Sequence, residues 1–278
     1  DDLAAEVIKG LLARNSGIDT SFIEDVVIGC AFPEGSQGML MARGISIMSG
    51  IPKEAGAKVV NRFCGSSMDA AHQVSQAINS NDIVCGIAGG TEDMFGVPMG
   101  GYMPSFNPVL YDQEYYIGMG ETAENLATEL DISRDDQEAF AVNSHKKALS
   151  ASASGKFSNE IQPIEFNGEL VSKDEGPREP DLDKMKSLDP AFDTNGTITP
   201  ATSSPISIGA SALLLSSSDF LKNNNIKAKY KIVSRAVSGV DWKTMGSGPI
   251  PASKKALDNA GMDIGDIDVI ELNEAFAA

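Results

Sequence analysis

Val59-Val60-Asn61-Arg62-Phe63-Cys64-Gly65-Ser66-Ser67-Met68 is the stretch on which the reading of this chain turns. Residues 57–60 form a short β-branched run of strand type. Beyond Cys64 the period changes, with Met68, Ala71, Val74 and Ile78 at helical spacing and polar Ser75, Gln76 and Asn79 between them. The chain therefore leaves a strand, turns, and starts a helix at or just after Cys64, running to about residue 79. The first amides of a helix have no partner within it, and their partial positive charge favours a thiolate, the nucleophilic form of cysteine. Gly65, Ser66 and Ser67 are small and leave room at the sulfur. Two readings stand at this point: a buried structural cysteine and an activated nucleophile.

Outward from that stretch, strands alternate with helices. Residues 3–13 carry helical spacing and end near Asn15-Ser16-Gly17. Residues 23–30 read as a buried strand, 38–49 as a helix stopped by Gly50 and Pro52, and 82–90 as a strand covered on both faces. The alternation predicts an α/β layered fold with parallel pairing. From 91 to 207 the rhythm breaks, with helices expected at 119–130 and 134–150, the second capped by Ser133. This long excursion out of the sheet is expected to lie over the active face as a functional lid. Residues 210–215 return to a buried strand, 226–240 and 267–272 read as strands, and 249–260 as a helix. The joint at 12–28 (helix, Gly17, acidic turn, buried strand) recurs at 257–270 around Gly261, which reads either as a duplicated unit or as two generic joints.

Composition narrows the function classes. A chain of 278 residues with 42% hydrophobic and 22% charged side chains fits one large or two ordinary globular domains. A formal charge of −17 argues against a nucleic-acid partner, yet leaves room for a small anionic ligand held by local cations or helix N-termini. Three widely spaced cysteines and two histidines, His72 and His145, give no metal-binding spacing and suit a reducing compartment. Both histidines read as surface residues; His72 lies eight positions after Cys64, roughly 12 Å along a helix. No apolar run approaches a membrane span, and the acidic N-terminus is unlike a signal peptide.

Several motifs then occur in one order: Val60-Asn61-Arg62-Phe63-Cys64, Ala88-Gly89-Gly90-Thr91-Glu92-Asp93-Met94, Met119-Gly120-Glu121-Thr122-Ala123-Glu124, Gly246-Ser247-Gly248-Pro249-Ile250-Pro251-Ala252 and Asn273-Glu274-Ala275-Phe276. With these the chain resembles the thiolases over nearly its whole length, most of all the degradative 3-ketoacyl-CoA thiolases and acetyl-CoA acetyltransferases. The resemblance implies a five-layer αβαβα sandwich of two duplicated halves. Residues 1–217 match the N-terminal half, with a loop domain inserted at about 95–207, and 226–278 match the start of the C-terminal half. It implies an acyltransferase that cleaves 3-ketoacyl-CoA with coenzyme A, or runs the reverse Claisen condensation, through an acyl-cysteine. Cys64 matches the nucleophile, and Asn273 the residue that helps hold an oxyanion-hole water. Ser204 matches a serine bonded to the pantetheine arm, and Met119, Phe192, Met245, Ala275 and Phe276 match the lining of the acyl and pantetheine tunnel.

The same resemblance implies no cofactor, since coenzyme A is a substrate, and a homodimer or homotetramer in the cytoplasm or an organelle matrix, with a β-oxidation complex as a further partner. Ala201-Thr202 stand where many relatives have Gly-Asn, and Ile208-Gly209-Ala210 where they have Asp-Gly-Ala. Gly118 replaces a histidine of some short-chain relatives, which points to a broader acyl range. The family's Gly-His-Pro segment, whose histidine activates the nucleophile, and its Cys-x-Gly segment, whose cysteine is the acid/base, follow the last residues here, and there is no initiating methionine. The sequence therefore reads as a fragment with a truncated second half, expected to accept an acyl group on Cys64 but to be inactive in turnover alone. Two other classes remain: a non-catalytic CoA-ester binding protein with Cys64 as a vestige, and a condensing enzyme of the ketoacyl-synthase type.

Overall fold

The computed structural model describes residues 1–278 and divides into two compact units. The first comprises Asp1–Pro104, Gln162–Ser172 and Ile206–Ile232, and the second Ser105–Ile161, Lys173–Pro205 and Val233–Ala278.

The first unit is built on a four-stranded sheet of β1 (Asp25–Gly29), β2 (Gly56–Val60), β3 (Cys85–Asp93) and β6 (Ile208–Ser216), in the order β2-β1-β3-β6. β1 pairs in parallel with β2 and with β3, as expected. β6 pairs antiparallel with β3 from Cys85↔Ser216 to Asp93↔Ile208, which adds an antiparallel edge strand to the expected parallel pairing and makes the sheet mixed. Strand direction is set by where the connecting segment re-enters the sheet, and no local pattern encodes that. Helices α1 (Asp2–Arg14) and α2 (Met41–Met48) bury Ile8, Met41 and Ile45 on one face, against Val26, Ile28, Cys85 and Ile87. Helix α3 (Ser66–Asn79) buries Ala70 and Val74 on the other, against Val27 and Ala88. Side chains alternate along a strand, so Val26 and Ile28 face one layer and Val27 the other. Truncating fully buried Ile45 to alanine would cost about 2–5 kcal/mol.

Local chemistry sets the element ends. Helix α1 stops where Asn15 turns its side-chain amide back to the Leu11 carbonyl, 2.8 Å away. Helix α2 begins later than the apolar pattern suggests, because Met39 and Leu40 take φ of 51° and 54°. The buried stripe of α3 is Ser66, Ala70, Val74 and Ser75, while Met68 lies 66% exposed, outside the stripe its spacing suggested. A small hairpin, β4 (Ile164–Phe166) and β5 (Glu169–Val171), turns at Asn167-Gly168, both at positive φ. This is the Asn-Gly signal of a two-residue turn. Helix α8 (Ser218–Asn223) follows β6.

The second unit is helical. It contains α4 (Pro108–Asp112), α5 (Met119–Glu129), α6 (Arg134–Ala153), α7 (Leu182–Lys186) and α9 (Pro249–Ala260). Ser133 caps α6 through the Asp136 amide, as its sequence predicts. Gly261, at φ 66°, ends α9 in the left-handed conformation. Within each of the two recurring joints lies a 3₁₀ turn preceded by an aspartate, Thr20–Phe22 after Asp19 and Ile264–Asp266 after Asp263. The strands expected at 226–240 and 267–272 are not formed: both segments lie outside any ladder. Their apolar runs satisfy strand composition, but a strand also needs a neighbour to accept its backbone hydrogen bonds. No helix is long and apolar enough to cross a membrane.

Candidate active site

Cys64 lies in the turn between β2 and α3. Asn61 Oδ1 accepts the Phe63 amide at 2.8 Å, closing an Asx turn that puts Phe63 at φ 44°. A positive φ is uncommon for a bulky aromatic and marks a constrained turn. The Ser66 hydroxyl accepts the Arg62 amide at 2.8 Å and donates to the Phe63 carbonyl, fastening the turn from the helix side. Helix α3 opens at Ser66 with Gly65 as N-cap, so Cys64 stands just outside the first turn. Arg62 is paired with Asp69 in that turn at 3.4 Å.

Glycines seat this helix on the sheet. Gly29 and Gly90 are register partners in β1 and β3. A Cβ on Gly29 would overlap the Ser66–Ser67 backbone, and one on Gly90 would overlap the Ser67 side chain. Of the three cysteines, Cys64 is exposed while Cys30 and Cys85 are buried. Burial, with a smaller contribution from the Glu92 charge, pushes the Cys30 thiol up to about 12. Burial likewise pushes Cys85 up to about 11. Neither buried sulfur is fit to attack a substrate at neutral pH.

At the end of β3 the Glu92 carboxylate gathers the chain that follows β1. It accepts the amides of Ala31 at 2.6 Å and Phe32 at 3.4 Å, and the Gln37 side-chain amide at 2.8 Å. Gln37, 4% exposed, is held in turn by the Phe32 carbonyl. The Phe32 ring lies 5.7 Å from that of Phe63.

The other sequence-predicted residues, Met119, Phe192, Ser204, Met245, Asn273, Ala275 and Phe276, all belong to the second unit. The segment after Asn273 docks on the loop carrying Ser204 by backbone pairing. The Ser204 amide donates to the Ala275 carbonyl at 2.8 Å, the Ala277 amide to the Thr202 carbonyl at 2.9 Å, and Ser203 bridges Phe276. Phe192 and Phe276 stack edge to face at 5.7 Å. Met119 opens α5, and Gly120 beside it leaves the space the Phe192 ring occupies. Met245 sits in a 3₁₀ turn, Trp242–Ser247, held to α5 by the Asn125 side-chain amide on the Lys243 carbonyl at 2.9 Å. Asn273 and Ser204 are exposed.

Residues not singled out from sequence hold this loop. Glu124, 9% exposed, accepts the amides of Thr197 at 2.9 Å and Ile198 at 2.8 Å. Gln137 reaches the Thr197 hydroxyl at 2.9 Å. His145 is half-buried, accepts the Arg178 amide at 3.3 Å and, with Ser144, Arg178 and Ser203, lines a cleft of about 250 Å³. It is therefore not the fully solvated residue its basic neighbours suggested. Ser144 donates to the Glu274 carboxylate. Burial of a helix carboxylate among loop amides has no local sequence signature; Glu124 was legible only as part of the Thr122-Ala123-Glu124 motif.

Comparison with known proteins accounts for this arrangement. The profile described as "Thiolase, N-terminal domain" matches residues 1–219, and "Thiolase, C-terminal domain" matches residues 226–278. Proteins named 3-ketoacyl-CoA thiolase from Shewanella baltica, Shewanella frigidimarina and Shewanella loihica are each 45% identical over 287 aligned residues, covering 100% of this chain and 74% of theirs. The mixed sheet with helices on both faces is consistent with the αβαβα fold of those proteins. An exposed cysteine between strand and helix, a docked Asn-Glu-Ala-Phe segment and profile matches along almost the entire sequence lead to one assignment: the chain belongs to the thiolase family.

Proposed function

We propose that Cys64 of this chain is the nucleophile of thiolytic acyl transfer on 3-ketoacyl-CoA. The Cys64 sulfur bonds to the C3 carbonyl carbon of the substrate. The C2–C3 bond breaks, its electron pair passes to the acetyl-CoA enolate, and a proton completes acetyl-CoA. The shortened acyl group stays on sulfur until the thiol of coenzyme A displaces it, giving acyl-CoA and free Cys64. Asn273 takes the oxyanion-hole role, a donor where the enolate oxygen gathers charge. Ser204 binds the pantetheine arm, and Met119, Phe192, Met245, Ala275 and Phe276 flank the acyl and pantetheine groups. The observation that carries this reading is the exposed Cys64 in a constrained turn at the start of α3, the two remaining cysteines being buried. The binding-protein and ketoacyl-synthase readings are not favoured, because the relatives are named thiolases.

The same reading includes a homo-oligomer in the cytoplasm, working in fatty-acid β-oxidation. Support for self-association comes from edge strand β2, whose outer side is unpaired, and from exposed Met39, Leu40, Ile47 and Met48 in the same unit. An open edge beside apolar side chains favours a partner strand. The free cysteines suit a reducing compartment.

The test is to incubate the purified chain with acetoacetyl-CoA and map acylated peptides. An acetyl thioester on Cys64, absent from Cys64→Ala, is expected. Acylation elsewhere, or none, would remove Cys64 from the reaction.

A further inference from the structure

We propose that Asn61 and Glu92 are positioning residues for the Cys64 nucleophile, joined through the backbone of Ala31 into one hydrogen-bonded brace behind the turn. The proposal rests on the assignment of Cys64 as the acyl acceptor. The brace runs without a gap. Glu92 Oε2 accepts the Ala31 amide at 2.6 Å. The Ala31 carbonyl accepts Asn61 Nδ2 at 2.8 Å. Asn61 Oδ1 accepts the Phe63 amide at 2.8 Å, one residue before Cys64.

Each link restricts the next. Glu92 lies on β3, a strand whose first six residues are buried, so its carboxylate starts from a fixed point. Its second oxygen is held by the Gln37 side chain at 2.8 Å. Gln37 Oε1 accepts the Asp93 amide at 2.5 Å, which ties Gln37 back to the same strand. Residue Ala31, held through its N–H by Glu92 and through its C=O by Asn61, gives Asn61 a rigid anchor. Asn61 uses both ends of its amide, one on that anchor and one on the turn. The turn holds Phe63 at φ 44°, a conformation a phenylalanine does not keep unaided. Phe32, whose backbone amide donates to Glu92, sets its ring 5.7 Å from that of Phe63. Released from the brace, Phe63 would relax toward negative φ and turn the Cys64 sulfur off its line of attack while leaving it at the start of α3.

A thiol that is merely accessible reacts with a small alkylating agent from many directions. Acyl transfer from a thioester needs the sulfur aligned on the carbonyl, and misplacement is costly there. That difference separates positioning from general stability. The experiment uses the full 278-residue chain with Asn61→Ala, Asn61→Ser and Glu92→Gln. Two rates are read on the Cys64 peptide: acetyl transfer from acetyl-CoA, which releases CoA thiolate, and alkylation by iodoacetamide.

Asn61 is exposed, so its truncation opens no cavity. Asn61→Ala and Glu92→Gln are expected to slow acetylation by about tenfold or more while alkylation stays within about twofold. Asn61→Ser, whose hydroxyl replaces the acceptor for the Phe63 amide but is too short to span to Ala31, is expected to recover part of the loss. Equal rates in all variants, or a parallel fall in both reactions, overturn the brace. If Asn61→Ala does not fold, Asn61→Ser decides: acetylation at the wild-type rate overturns the proposal. A wild-type chain that alkylates at Cys64 but never accepts acetyl overturns the acyl-acceptor assignment, and the brace falls with it.

Discussion

The ring of Phe192 stands edge-on to the ring of Phe276, with centroids 5.7 Å apart and planes at 81°. Gly120 makes the arrangement possible, since a Cβ there would overlap Phe192. Two opposed effects meet at this position. Alanine is the better helix former within α5, by roughly 0.5–1 kcal/mol. Overpacking against a ring held by its neighbour costs about 1–3 kcal/mol. Gly120→Ala is therefore expected to lower stability despite the helix gain, and Gly120→Ala with Phe192→Leu to recover part of it. Thermal melting of the two variants checks this; a Gly120→Ala chain more stable than wild type would show that Phe192 has room to move.

Glu124 is expected to hold the loop that carries Ser204. Removing its carboxylate leaves the Thr197 and Ile198 amides without acceptors, and Ile198 is fully buried. Charged hydrogen bonds and orphaned buried donors together make Glu124→Ala cost about 3 kcal/mol, or some two orders of magnitude in local opening. Hydrogen exchange of the peptide spanning 196–199 should accelerate accordingly. Unchanged exchange there would mean that Glu124 accepts bonds the loop does not need.

Sequence and structure part company where information is not local. β1, β3, α3 and α6 were legible because apolar runs, helical spacing and the Ser133 cap all lie within the elements themselves. Cys64 was legible because strand, turn and helix are contiguous. The antiparallel return of β6 was not, since direction depends on more than a hundred intervening residues. Nor was the tie between Asn61 and Ala31, whose partners lie 30 residues apart. The 226–240 and 267–272 runs mislead for the same reason, because the composition of a strand is local and its ladder is not.

Cysteine selectivity follows from burial. At pH 8 a thiol raised to about 11, as Cys85 is, carries thiolate in roughly one molecule in a thousand, and Cys30 less. Both sulfurs are also closed to reagent. Iodoacetamide should therefore label Cys64 to completion before Cys30 or Cys85 reacts measurably, and denaturant should make all three alike. Mass mapping reads the order. Early labelling of Cys85 would show that β3 opens far more readily than a central strand should.

The same two thiols should make the folded chain sensitive to alkali. Their ordinary value is 9.0; folding raises Cys30 to about 12, chiefly by desolvation and then by Glu92, and Cys85 to about 11 by desolvation. A raised thiol is one the folded state keeps neutral. Below pH 9 both states carry the proton, and the advantage of burying a neutral group is intact. Above pH 9 the unfolded chain releases protons that the folded chain retains, so unfolding gains with every further unit. The loss continues until the folded thiols ionise, near pH 11 for Cys85 and near pH 12 for Cys30. Each thiol contributes a slope of at most about 1.4 kcal/mol per pH unit within that window. Tyrosines and lysines also titrate there, so the informative quantity is the difference between chains. Denaturation midpoints of Cys30→Ala and Cys85→Ala, measured from pH 8 to 10.5, should fall less steeply than wild type, and those of the double variant least. Alanine lowers the starting stability through the lost sulfur but removes the ionisable group, so the curves should converge as pH rises. Curves that stay parallel across this range would show that neither thiol is kept neutral by the fold.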